Sequence, residues 1–69
     1  MIKENGIVIV YGVHFIKYDP STEEWYEDTQ NLELYLRRGD AERRLEEMKT
    51  EIPKGAKWNL CFTKYEVKW

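Results

Sequence analysis

One cysteine, one histidine and two prolines are all that 69 residues contain of these three types, and each scarcity closes off a class of protein. A lone Cys61 can neither form an internal disulfide nor fill a structural zinc site by itself, so both usual staples of very small domains are missing. No uncharged apolar run approaches the roughly 20 residues that a membrane-spanning helix needs. Repeats, low-complexity tracts and Pro/Gly/Ser-rich linkers are absent, and so are a phosphate-binding glycine loop, a nucleophile elbow and any metal-ligand spacing. The start, Met1-Ile2-Lys3-Glu4-Asn5-Gly6, has one base followed by an acid and no small-residue cleavage site beyond the apolar stretch that follows. A signal peptide is therefore not expected, and the expected location is the cytoplasm.

What is present is a folding composition: 42% hydrophobic and 35% charged residues with a net charge of -2 exclude a disordered polyelectrolyte and fit a single domain over residues 1–69. Aromatic residues make up 14% of the chain, a high share for so small a protein. Where a small fold puts Tyr11, Phe15, Tyr18, Trp25, Tyr26, Tyr35, Trp58, Phe62, Tyr65 and Trp69 is the main question.

The run from Ile7 to Tyr18 is β-branched and aromatic and lacks helix-favouring Glu, Ala or Leu, which predicts a long strand. Both of its faces are apolar, as in a central strand, and Gly12 suggests a bulge or bend. Asp19-Pro20-Ser21-Thr22 is a turn tetrad, since Asp bonds back to the backbone and Pro presets a dihedral. The returning segment Glu23–Asp28 reads as a shorter strand, and Thr29-Gln30-Asn31 turns the chain. In residues 32–37 leucine alternates strictly with other residues; the alternation argues strand, the composition argues helix, and a short third strand is expected.

Gly39-Asp40 supplies a helix cap, after which Ala41, Leu45, Met48 and Ile52 recur at helical spacing until Pro53 ends the helix. Arg43 with Glu47, Arg44 with Glu47, and Glu46 with Lys49 are spaced to support it. Residues 58–69 read as the closing strand. Its apolar parity changes from Trp58, Leu60 and Phe62 to Tyr65, Val67 and Trp69, which predicts a bulge near Thr63 and Lys64. The expected fold is α+β: an antiparallel sheet of three to four strands with one helix on one face, in the order β-β-(β)-α-β.

Element lengths lead to the most useful expectation. A helix of eleven residues is about 16 Å long, and a strand of twelve spans about 40 Å. One such helix cannot cover the sheet, so some rings must face water or a second chain.

The candidate sites follow from this shortage of cover. Trp25 and Tyr26, ringed by Glu23, Glu24, Glu27 and Asp28, suit docking on a basic protein surface, against the plainer reading that they pack on the opposite strand while the acids keep an edge soluble. Tyr65 and Trp69 are candidates for a homodimer seam. Arg37, Arg38, Arg43 and Arg44 could contact phosphates, but they alternate with acids as on a solvated helix, and the isoelectric point is near 5.4. His14 and Cys61 could in principle share a metal or form a thiolate–imidazole pair. The plainer reading is a histidine bonded to backbone and a cysteine acting as a small hydrophobe, so no metal, cofactor or catalytic residue is expected. Charge divides along the chain: residues 1–36 carry two bases and seven acids, residues 37–69 nine bases and six acids, as if the molecule were polar from end to end.

In its layout the chain resembles small phage and prophage accessory proteins, including anti-defence inhibitors of the anti-CRISPR kind. The likeness rests on the aromatic strand Ile7–Tyr18, the Asp19-Pro20-Ser21-Thr22 turn into an acidic Trp segment, the short helix through Ala41 and Met48, and the closing aromatic strand. The resemblance implies a non-enzymatic protein that occupies the surface of a host or defence protein in the host cytoplasm. The alternative is a nucleic-acid module built on the four arginines; a membrane partner is not expected.

Overall fold

In the computed structural model, which describes residues 6–68, the chain forms β1 (Ile7–Asp19), β2 (Glu24–Glu27), a 3-10 turn (Thr29–Asn31), β3 (Glu33–Tyr35), α1 (Arg38–Glu51) and β4 (Trp58–Lys68). The fold is the expected one, an antiparallel sheet of four strands with one helix. β1 is central. β4 pairs with it along one edge from Ile7↔Lys68 to Lys17↔Trp58, while β2 (Ile16↔Glu27 to Asp19↔Glu24) and β3 (Tyr11↔Tyr35 to Val13↔Glu33) share the other edge. The sheet is therefore three strands wide only at Tyr11–Val13 and Ile16–Lys17 and two strands wide elsewhere, and the molecule measures 47 × 25 × 13 Å.

The β1–β2 turn is closed by the Asp19 carboxylate, which accepts from the Ser21 backbone N–H at 2.9 Å and the Ser21 hydroxyl at 2.7 Å. It is one residue longer than the tetrad alone: the Glu23 N–H donates to the Asp19 carbonyl, and Glu23 takes a left-handed φ of 57°, so β2 starts at Glu24. Asp28 is pulled out of the strand. Its carboxylate accepts from Asn31 at 2.9 Å and pairs with Lys17 at 3.0 Å, which folds the 3-10 turn that joins β2 to β3.

Alternation along the strands assigns each residue to a face. Tyr11, Val13 and Phe15 of β1, Leu60 and Phe62 of β4, and Tyr35 of β3 point toward α1 and pack with Ala41, Leu45 and Met48. Val13, Ala41 and Met48 are the buried apolar centre. The helix begins earlier than its sequence suggests. Arg37 is the cap residue, and Gly39 and Asp40 lie in the first turn. The glycine penalty of about 1 kcal/mol applies to a helix interior rather than to its end, and an acid at the positive end of the helix dipole is favourable. Ile52 is extended before Pro53, as expected, and the Pro53–Ala56 turn places Gly55 at a φ of 83°.

Two expected irregularities are absent. β4 runs in unbroken register past Thr63 and Lys64, and Gly12 pairs regularly with both Leu34 and Thr63. The parity change has another cause. The 14-residue helix covers about 21 Å, so beyond Phe62 the helix-side positions Lys64, Glu66 and Lys68 meet water, and the apolar residues Tyr65 and Val67 move to the opposite face. At Gly12 the reason is space: a Cβ would lie 2.7 Å from Tyr65 Cε2 and 3.1 Å from Leu32 Cδ1. The Tyr65 ring lies across the glycine.

Candidate functional site

The face away from α1 is made of Val8, Val10, Gly12, His14, Ile16 and Tyr18 on β1, their partners Val67, Tyr65, Thr63, Cys61 and Asn59 on β4, Leu34 on β3, and Glu27 and Trp25 on β2. Glu27 is the one Asp, Glu, Lys or Arg among these strand positions. The exposed side of an antiparallel sheet usually alternates to polar residues. Here the charges sit on the helix side, at Lys17, Glu24, Glu33, Lys64, Glu66 and Lys68, and the unroofed side is left apolar. On it Trp25 is 51% exposed, Leu34 57%, Val67 48% and Tyr65 36%. Val10, Leu32, Leu34, Tyr65 and Val67, with Glu66 at the rim, line a groove of about 320 Å³.

The remaining rings are covered piecemeal. Phe15 packs on Trp58 with centroids 5.1 Å apart, and Tyr11 on Phe62 at 5.9 Å. Two lysines lie over rings, Lys17 Nζ 4.2 Å from the Trp58 centroid and Lys57 Nζ 4.9 Å from that of Tyr18. A cation over an aromatic face is attracted by the ring quadrupole while its alkyl stem covers apolar surface.

Each sequence-derived candidate now has a place. Trp25 and Tyr26 are both half-exposed, but they project from opposite faces of β2. Trp25 packs edge-on against Tyr18 at 5.5 Å, and Tyr26 stands opposite Lys17. The four acids do not form one ring: Glu23 and Glu24 are exposed, Glu27 lies against His14, and Asp28 is committed to Asn31 and Lys17. The Asn31 and Lys17 contacts hold the Asp28 carboxyl below its ordinary pKa. Tyr65 belongs to the apolar groove; Trp69 lies outside the described residues.

Of the arginines, Arg44 is clamped by Glu33 at 2.9 Å and Glu51 at 2.7 Å, Arg38 pairs with Glu42 and Arg43 with Asp40; among the described residues only Arg37 has no ion pair. Arg43 thus turns back to Asp40, while the expected Arg44–Glu47 and Glu46–Lys49 pairs form. Hydrogen bonds from Arg44 and then Tyr35 lower the pKa of Glu33, and its bonds to Glu33 and Glu51 raise that of Arg44. The Glu33–Arg44 pair joins the acidic and basic halves of the sequence, and β4 lies along β1, so charge is interleaved and not divided between two ends.

The structure also brings together residues that spacing kept apart. His14 and Cys61 are direct cross-strand partners. The His14 Nε2 lies 2.8 Å from a Glu27 carboxylate oxygen, and Cys61 Sγ is 3.5 Å from the Thr63 hydroxyl. Glu27 was legible only through the hairpin: once Asp19 pairs with Glu24, alternation puts Glu27 opposite Ile16, on the face of His14.

Among the described residues no helix is long and apolar enough to cross a membrane. Scans against protein-family models, curated proteins and solved structures each return no match.

Proposed function

We propose that this chain is a small non-enzymatic protein-binding module that works by laying the helix-free face of its sheet on a matching protein surface, in the first instance that of a second copy. The observation that carries the reading is the scarcity of charge among the strand positions of that face, where Glu27 is the one Asp, Glu, Lys or Arg, together with the exposure of Leu34, Tyr65 and Val67. An apolar face with almost no charge meets its own copy without like-charge repulsion, as a two-fold contact requires. The size suits a contact that dissociates on dilution. Strands of 13, 11, 4 and 3 residues cover about 490 Å² at about 3.3 Å per residue and about 4.8 Å between strands. A pair would bury about 1,000 Å², in the low range where transient interfaces lie.

In such a pair Glu24 and Tyr26, on the other face of β2, stay outward, where an acidic and aromatic surface complements a basic partner. The phosphate-binding alternative has no support of this kind, since three of the four arginines are ion-paired within the chain.

Sedimentation over a dilution series tests the reading. A dimer that dissociates on dilution, and that becomes monomeric in Val67→Lys with an unchanged circular dichroism spectrum, is the expected result. A wild-type chain that stays monomeric at high micromolar concentration, or a dimer unaffected by Val67→Lys and Leu34→Lys together, would overturn it.

A further inference from the structure

The helix-free face also holds a group of donors whose chemistry does not depend on what docks there. One ligating atom each from His14, Glu27 and Cys61, on three adjacent strands, lies within 4.8 Å of the other two. His14 is 1% exposed. Its Nε2 meets Glu27, while its Nδ1 is buried with no hydrogen-bond partner among the described residues. The ordinary role of a buried strand histidine, a ring nitrogen bonded to backbone, is not fulfilled at that atom. A cation seated between Nε2 and the Glu27 carboxylate would take the Nε2 lone pair of the tautomer whose proton sits on Nδ1.

We propose that His14, Glu27 and Cys61 form a binding site for a divalent cation of the zinc class. An imidazole, a carboxylate and a sulfur select a borderline-soft ion over magnesium or calcium, which favour all-oxygen sets. Tetrahedral zinc with bonds of about 2.0–2.3 Å spaces its ligands by about 3.5 Å. The widest donor separation would close by about 1 Å, and the 2.8 Å contact of His14 with Glu27 would open by somewhat less, changes that rotation of the exposed Glu27 and of Cys61 covers. As the metal–sulfur bond forms, the Cys61 thiol gives its proton to solvent. Thiolate and carboxylate then balance the two positive charges, and neutral His14 contributes its lone pair. Three protein donors leave a fourth position for water or for a donor from a docked surface.

The experiment titrates the full chain, free of any affinity tag, with Co²⁺, follows the thiolate-to-cobalt charge-transfer band, and then displaces the cobalt with Zn²⁺. Saturation at one ion per chain is expected, with loss of the band in Cys61→Ser and affinity reduced at least about tenfold in Glu27→Gln. Both variants alter side chains that reach the surface, and circular dichroism checks their folds. His14→Ala would empty a buried position, so the imidazole is read in the wild-type chain from its ring ¹⁵N shifts, which should move on Zn²⁺ addition. Absence of the band and of stoichiometric zinc uptake at micromolar cation, or zinc uptake equal in wild type and Cys61→Ser, would overturn the site.

Discussion

The two faces of this sheet are built from the same two strands and live under different rules. Beneath α1, Val13, Phe15, Leu60 and Phe62 are held by Ala41, Leu45 and Met48, Glu33 is clamped by Arg44 of the helix, and the charged residues Lys64, Glu66 and Lys68 of β4 lie beyond its reach. On the other face no helix of the described chain lies over the sheet, only side chains such as Leu32 and the Tyr65 ring over Gly12, yet most of the residues there are apolar. One face is closed by the fold. The other is apolar without a cover, which teaches that apolar patterning in a small protein need not mark its own core.

Substitutions on the two faces should therefore have opposite signatures. Met48→Ala is expected to have the largest effect on stability, about 2–5 kcal/mol by urea denaturation, because the buried helix side chain leaves a cavity against Val13. Gly12→Ala comes next, at about 1–3 kcal/mol. The new methyl must displace the Tyr65 ring, so tyrosine fluorescence or ring NMR shifts should change with it.

Acid should loosen the helix side by a smaller amount. Glu33, Asp28 and Asp19 all have folded-state pKa values below the ordinary one, through hydrogen bonds led by Arg44, Asn31 and Ser21 respectively. Their contribution is complete above the ordinary carboxylate pKa of about 4 and drains away as pH falls through the lowered values. Urea midpoints at neutral pH and near pH 3 should differ, and Arg44→Ala should flatten that difference by removing the main cause at Glu33. An unchanged slope in Arg44→Ala would show that Glu33 does not depend on the clamp.

Leu34→Lys on the open face should have the smallest effect, within about 0.5 kcal/mol for the monomer, while reducing self-association. If it destabilised the monomer as much as Met48→Ala, the open face would be a second core and the contrast would fail.

Much of the fold was legible because it is written in local periodicity. The β-branched run of β1, the Asp19 turn, the 41-45-48 stripe and Pro53 each act over a few residues, and each stands where its pattern put it. The helix start was misplaced because Gly39 reads as a breaker in a window of neighbours but is tolerated in a first turn. The bulge near Thr63 was misread because a shift in apolar parity looks the same whether the strand slips or the cover ends, and that at Gly12 because a glycine that makes room for a ring reads like one that bends a strand. The candidate site was less legible still. His14, Glu27 and Cys61 are separated by 13 and 34 positions in the sequence, and only pairing on both edges of β1 sets them side by side.

By itself the sequence determined the element types, their order and the shortfall of one short helix against a long strand, since these depend on residue chemistry and on fixed rises per residue. Tertiary structure decided which rings stay in water, which arginines are spent on ion pairs, and that a lone histidine and a lone cysteine share a face with a glutamate. Those outcomes depend on register across strands far apart in the chain, and register is set by how the whole sheet pairs and packs.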